Sequence, residues 1–252
     1  MTPDLTSLHL VLLAFLLETA DASFGGGYGT ILTPLLLVVG FEPSRVVPAV
    51  LVSQLAGDFL ASFFHHEFRN VDFSRNNRHL RVALTLAVLG SAGCVASVVA
   101  AVNLPKPYVN LYIGVLVAAT GVSLLVANNR IRAFSWRRLV FIGSIAAFNK
   151  GISGGGYGPL IAGGQIFTGI EPKNAIGITA LSEGMTCIVA VLSYILLGTN
   201  VDWSLAAVLS IGVSFSTPIS AYLVRKMKSG TLKLTTAMIA VLLGLSTIFR
   251  TF

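Results

Sequence analysis

Runs of about 20 residues with almost no charge recur along the chain, separated by short loops that gather most of its Lys and Arg. At ~1.5 Å of rise per residue, one such run crosses the ~30 Å hydrocarbon core of a bilayer as a helix. With 54% hydrophobic and 11% charged residues and a mean hydropathy of +0.83, a soluble domain of 252 residues could not hide this much apolar surface. The expectation is an all-α polytopic membrane protein. The leading MTPDLTSLHL holds no Lys or Arg, which argues against a cleaved signal peptide. Cys94 and Cys187 stand in apolar runs with no CxxC or Cys/His cluster nearby, so neither a disulfide framework, a metal site nor a cofactor is implied.

The chain repeats itself. Gly25-Gly26-Gly27-Tyr28-Gly29 recurs 129 residues later as Gly154-Gly155-Gly156-Tyr157-Gly158. At the same offset Phe41-Glu42-Pro43 matches Ile170-Glu171-Pro172, and Ser53 matches Ser182. Val71-Asp72-Phe73 matches Val201-Asp202-Trp203 at 130, and Gly121 and Ser123 match Gly244 and Ser246 at 123. An ordered series of this kind marks a tandem duplication. The expected units are a first membrane repeat, 1–128, and a second, 129–252, forming one integrated transmembrane domain.

Each half reads as five helical elements, at 7–23, 29–40, 44–66, 80–102 and 107–127, then 136–152, 158–169, 173–197, 204–225 and 231–250. The second element of each half is about 12 residues, or ~18 Å, too short to span. The first two elements of each half therefore form a re-entrant hairpin that turns at GGGYG. Loops 67–81, 128–138 and 225–233 carry four basic residues each, while segment 198–203 carries none. The positive-inside rule puts the three basic loops in the cytoplasm and 198–203 outside. An odd number of crossings between 138 and 200 then inverts the second half relative to the first. Both termini fall outside.

Inverted repeats with short, glycine-interrupted helices meeting near the midplane are an architecture of secondary transporters. Irregular backbone at membrane depth must be satisfied by protein or line a wet cavity. Helices that start just after GGGYG aim their positive N-terminal ends inward, which makes an anion site. The alternative is that the glycines only allow close helix packing.

The segments FGGGYGTILTPLLLVVGFEPSRVVPAVLVSQ and NKGISGGGYGPLIAGGQIFTGIEPKNAIGITALSEG resemble the two halves of the sulfite exporter TauE/SafE family, over nearly the whole chain. The resemblance implies export of small sulfur oxyanions or organosulfonates, such as sulfite or sulfoacetate, across the cytoplasmic membrane. Its substrate would be a small anion, its surroundings membrane lipid, and no nucleic acid is implied. The basic loops serve orientation and face anionic lipid.

The candidate substrate-binding residues are the two GGGYG stretches with Asn149, Lys150, Ser153, Ser53, Gln54, Thr179 and Ser182. Ionisable groups at membrane depth usually face the protein interior, which makes Glu18, Asp21, Asp58 and Glu183 candidate coupling residues. Asp21 and Lys150 occupy equivalent positions. Either Lys150 partners the substrate while the carboxylates carry protons, or Asp21 and Lys150 form a purely structural ion pair. Gln54 and Asp58 share one helical face, as do Thr179 and Glu183, with Gln54 equivalent to Glu183. His65 and His66, at the end of a span, are expected at the interface. Two other functions fit parts of the pattern. A passive anion channel shares every feature above. Gly151-Ile152-Ser153-Gly154 also fits the GxSG of rhomboid-type intramembrane proteases, but the duplicated glycine break has no use in a one-site protease, and no enzyme activity is expected.

The topology makes the first prediction. Cysteines at Asn77, Ala133 and Ser229 are protected from an impermeant thiol reagent in intact cells, whereas one at Thr199 labels. Labelling at 133 with protection at 199 rules out the inverted arrangement.

Overall fold

The computed structural model describes residues 7–249 except 27, 42, 76, 102–110, 112, 113, 116, 120, 123, 124, 127–133, 154–156, 197 and 199. The side chains of residues 30, 34, 37, 38, 43, 44, 96–101, 147–153 and 247 also fall outside the description. Regular structure among the described residues is helical: α1 (Ser7–Phe24), α2 (Tyr28–Val39), α3 (Pro43–Glu67), α4 (Arg78–Ala101), α5 (Trp136–Ser153), α6 (Tyr157–Phe167), α7 (Pro172–Leu196), α8 (Trp203–Lys226) and α9 (Ser229–Phe249). Further helical residues lie between 111 and 126. Every bound of these nine falls within two residues of the expected one. Five helices (α1, α3, α7, α8 and α9) are long and apolar enough to cross a membrane. The chain is a multi-pass helical membrane protein.

The short helices, α2 with 12 residues and α6 with 11, end alike. Gly40 (φ 104°) and Gly169 (φ 99°) take left-handed backbone just past them, where a Cβ would be strained. The next N–H then turns back: Phe41 donates to Leu36 O and Ile170 to Gln165 O, both at 3.1 Å. These are the helix-closing bonds of a Schellman turn, and they stop both short helices at equivalent places.

The core is shared between the halves. The first repeat's α1 packs on α8, and the second repeat's α5 packs on α4; α3 packs against both α7 and α8, and α7 against α4. Two apolar clusters result. One contains Leu10, Tyr28, Leu32, Val46 and Ala49, the other Leu139, Tyr157, Ile161, Ala175 and Ile178, each 129 residues from its counterpart. Burying these faces requires both halves, because each cluster draws helices from both.

Small residues set the approach of α9 to the helical residues at 111–126. A Cβ on Gly244 would lie 2.4 Å from Ala118 N and 2.6 Å from Gly114 O, and one on Gly121 would lie 2.6 Å from Ala237 O. Backbone cannot step aside as a side-chain tip can. Gly244→Val is therefore expected to destabilise by about 1–3 kcal/mol, the usual range for overpacking. Gly230→Ala, where nothing lies within 4 Å, should leave Tm in detergent unchanged or slightly raised. Equal Tm for Gly244→Val and the parent would show that this helix contact is loose.

Candidate functional site

The first glycine break is organised by one residue. Asp21 O accepts the N–H groups of Gly25 (2.7 Å) and Gly26 (3.2 Å), which closes α1 through the left-handed Gly25 (φ 80°). The Asp21 carboxylate accepts the N–H of Tyr28, the first residue of α2, at 3.0 Å. A buried carboxylate thus caps the positive end of α2. The Tyr28 hydroxyl meets Ser53 Oγ at 2.7 Å, and Ser53 donates to Val50 O at 2.9 Å, so Tyr28 is the donor.

The second break is wired differently. The Tyr157 hydroxyl donates to Leu86 O on α4 at 3.2 Å. Ser182, the counterpart of Ser53, donates to Thr179 O. Gly27, Gly154, Gly155 and Gly156 lie outside the described residues, as do the side chains of Asn149, Lys150 and Ser153 on α5. An Asp21–Lys150 ion pair therefore also falls outside them.

The two breaks touch. A Cβ on Gly26 (φ 150°) would lie 2.1 Å from Pro159 Cδ, and one on Gly25 would lie 2.4 Å from Ala162 Cβ. A Cβ on Gly158 would come within 2.8 Å of Gly26 Cα, 2.9 Å of Gly25 O and 3.1 Å of Glu183 Oε2. At these three positions the missing side chain lets one break rest on the other. Gly29 is buried on the first turn of α2.

Equivalent residues also meet beside the breaks. Gln54 Nε2 on α3 donates to Glu183 Oε1 on α7 at 2.8 Å, across 129 residues of chain. Both side chains are buried, as are Ser53, Asp58, Thr179 and Ser182. Carboxylate oxygens of Glu18, Asp21 and Asp58 lie within 4.8 Å of one another. Glu18 fits there because α3 carries Gly57, whose added Cβ would sit 2.9 Å from Glu18 Oε1.

Some residues of this region have no local signature in the sequence. Gln165, at the end of α6, donates to Thr179 Oγ1 at 2.8 Å and to Ala175 O at 3.3 Å. His65, in the last turn of α3, is fully buried. Its Nε2 donates to Ala22 O at 3.0 Å, and its Nδ1 accepts from Asn70 Nδ2 at 3.0 Å. Asn70 also donates to Ala221 O. The last turn of α3 is tucked between α1 and α8, so three chain segments close over the imidazole. His66 stays half-buried, its Nδ1 accepting the N–H of Phe73.

Beyond the membrane-spanning helices two aspartates organise loops. Asp202 caps α8 by accepting the N–H of Leu205, a bond that together with Arg45 holds its carboxyl below the usual range. Asp72 is held low chiefly by the N–H of Ser74.

Chemically, the centre offers the first glycine break resting on the start of α6, with a carboxylate capping α2 and a lysine at the equivalent position in the chain before α6. Buried hydroxyls, amides and carboxylates surround them. Comparison with known proteins places residues 10–247 within the family model described as "Sulfite exporter TauE/SafE". Over 232 residues, 86% of this chain and 75% of the relative, the chain is 26% identical to a Bacillus subtilis (strain 168) protein described as "Probable membrane transporter protein YtnM".

Gln54→Leu removes the donor to a buried carboxylate while keeping the volume, and should cost about 1.5–3 kcal/mol of stability. Adding Glu183→Leu should recover part of that loss, since the two side chains then no longer leave each other unmatched. Additive losses in the double variant, read from thermal unfolding in detergent, would mean that the two side chains are not coupled.

Proposed function

The chain belongs to the sulfite exporter TauE/SafE family, and from that premise we propose that it is a secondary transporter of small anions, exporting sulfite or an organosulfonate across the cytoplasmic membrane. The contact of Gly26 with Gly158 and Pro159 carries this reading. It brings two helix breaks together at one buried place, where a single substrate meets both. The two halves, 1–128 and 129–252, are inverted repeats whose first two elements re-enter the membrane. Their packing supports a twofold relation between the halves, because α1 on α8 mirrors α5 on α4. Contact between the equivalent residues Gln54 and Glu183 supports it further.

The halves differ where the substrate is decided. Asp21 already supplies the anion at the N-terminus of α2. Its counterpart is Lys150, and an ammonium group donates but does not accept hydrogen bonds. We place the substrate at the N-terminus of α6, where Lys150 would add a full charge to the ~+0.5 of the helix end. Asn149, Ser153, Gly154, Gly155, Gly156, Tyr157 and Gly158 surround it from the second half, with Thr179 and Ser182 beyond. Gly25, Gly26, Gly27, Tyr28, Gly29, Ser53 and Gln54 close it from the first. An anion there lies beside Glu183, the coupling residue of the second half. Glu18, Asp21 and Asp58 form the other proton-carrying group, since three carboxylates this close repel one another unless a proton or cation is shared.

Flux into proteoliposomes, with and without a pH gradient, tests this across sulfite, sulfate, thiosulfate, sulfoacetate and carboxylates. Sulfite or an organosulfonate is expected to move, faster down a proton gradient; flux indifferent to the gradient and without counterflow would mark a passive channel. Lys150→Met should weaken anion binding by about 10- to 150-fold, the equivalent of one charge-assisted hydrogen bond. Asp21→Asn keeps an oxygen for Tyr28 N–H and should bind normally while losing the response to pH. If Asp21→Asn/Lys150→Met folds and transports like the parent, both residues are structural.

A further inference from the structure

Two mouths of the protein are built from equivalent parts and finished differently. Arg45 in the first turn of α3 and Asn174 in the first turn of α7 are 129 residues apart, while Asp72 before α4 and Asp202 before α8 are 130 apart. On the face of segment 198–203, Arg45 Nε donates to Asp202 Oδ2 at 3.0 Å and Nη2 reaches the same oxygen. Asp202 Oδ1 meanwhile caps α8 through Leu205 N–H at 3.0 Å. The pair therefore ties the start of α3 to the start of α8. Below it, Val46, Ala49, Leu205 and Leu209 form a dry apolar seam.

On the opposite face the tie is missing. Asn174 carries no charge, and the Asp72 oxygens are taken by Ser74 N–H at 2.8 Å and by Asn77 Nδ2. Asp72 and Asn174 instead border a cavity of about 560 Å³, which His66 and His79 also line. One end is joined by an ion pair between the starts of two helices; at the other, the equivalent residues border a cavity, and the start of α7 is held instead by Lys173 donating to Arg225 O.

We infer that Arg45 and Asp202 are a latch across the 198–203 mouth, which must part for the site to open to that side. It rests on the transport reading only in requiring alternate opening, not in which anion is carried. The Arg45 side chain is 58% exposed, so the pair biases an equilibrium by only about two- to fivefold. A tie that weak shifts the closed population and still breaks in every cycle.

The full chain in membrane vesicles, with Cys94→Ala, Cys187→Ala and Ala49→Cys, reports the latch. Ala49 is fully buried one turn inward from Arg45. An impermeant thiol reagent added from the 198–203 side should react about two- to fivefold faster when Asp202→Asn or Arg45→Gln is added. Asp202→Asn keeps a good helix cap, so its effect isolates the charge. Unchanged rates in both variants, at parental Tm, overturn the latch. As a second measurement, a short bifunctional thiol reagent joins cysteines placed at Arg45 and Ser204, which leaves the Asp202 cap intact. Cross-linking should stop anion exchange and cleaving the linker should restore it; exchange at the uncross-linked rate also overturns the inference. If no anion moves through the parent, the transport reading fails, and the labelling rates still decide the latch.

Discussion

The first glycine break rests directly on the start of α6. A Cβ on Gly26 would fall 2.1 Å from Pro159 Cδ, and one on Gly158 would fall 2.8 Å from Gly26 Cα, so no residue but glycine fits either place without moving backbone. Everything near the centre follows from that approach. α2 and α6 can be short because they begin inside the protein, beside the same glycine break, where neither must reach across the membrane. α3 and α7 then cross beside the breaks closely enough for Gln54 to bond Glu183.

Bringing helix ends together in a low-dielectric interior leaves N–H groups that need acceptors. Asp21 answers this in the first half with both its carbonyl and its carboxylate. The duplication did not copy that answer, because the second half has Lys150 in its place. The two N-termini are thereby unequal in charge and in hydrogen-bonding capacity. An inequality of this kind is what separates a binding site with one orientation from a symmetric packing contact. The same asymmetry recurs at the surface, where Arg45 holds Asp202 and Asn174 leaves Asp72 to its own loop.

The places of both helix breaks were legible in the residues alone. The offset of 129 paired Ser53 with Ser182 and Gln54 with Glu183, and it located both breaks, because a glycine cluster in an apolar run has few other uses. Contacts were not legible. Ser53 and Ser182 each donate to their own helix, yet Tyr28 bonds Ser53 while Tyr157 reaches Leu86, although the two pairs are spelled the same way. The partners of His65 were not legible either, because they depend on how α1 and α8 close over the end of α3. Gln165 and Asn70 gave no local sign, since a single amide in a chain reveals nothing of its partner.

By itself the sequence determined the membrane class and the bounds of the helices. Those depend on hydropathy, length and left-handed turn residues, which act within a few residues of themselves. Only the tertiary structure decided which helix of one half lies on which helix of the other, and so which carboxylates come together. Glu18, Asp21 and Asp58 become neighbours because α1 and α3 converge where Gly57 leaves room. No local rule reports such a meeting, because it depends on the summed burial of helices far apart in the chain.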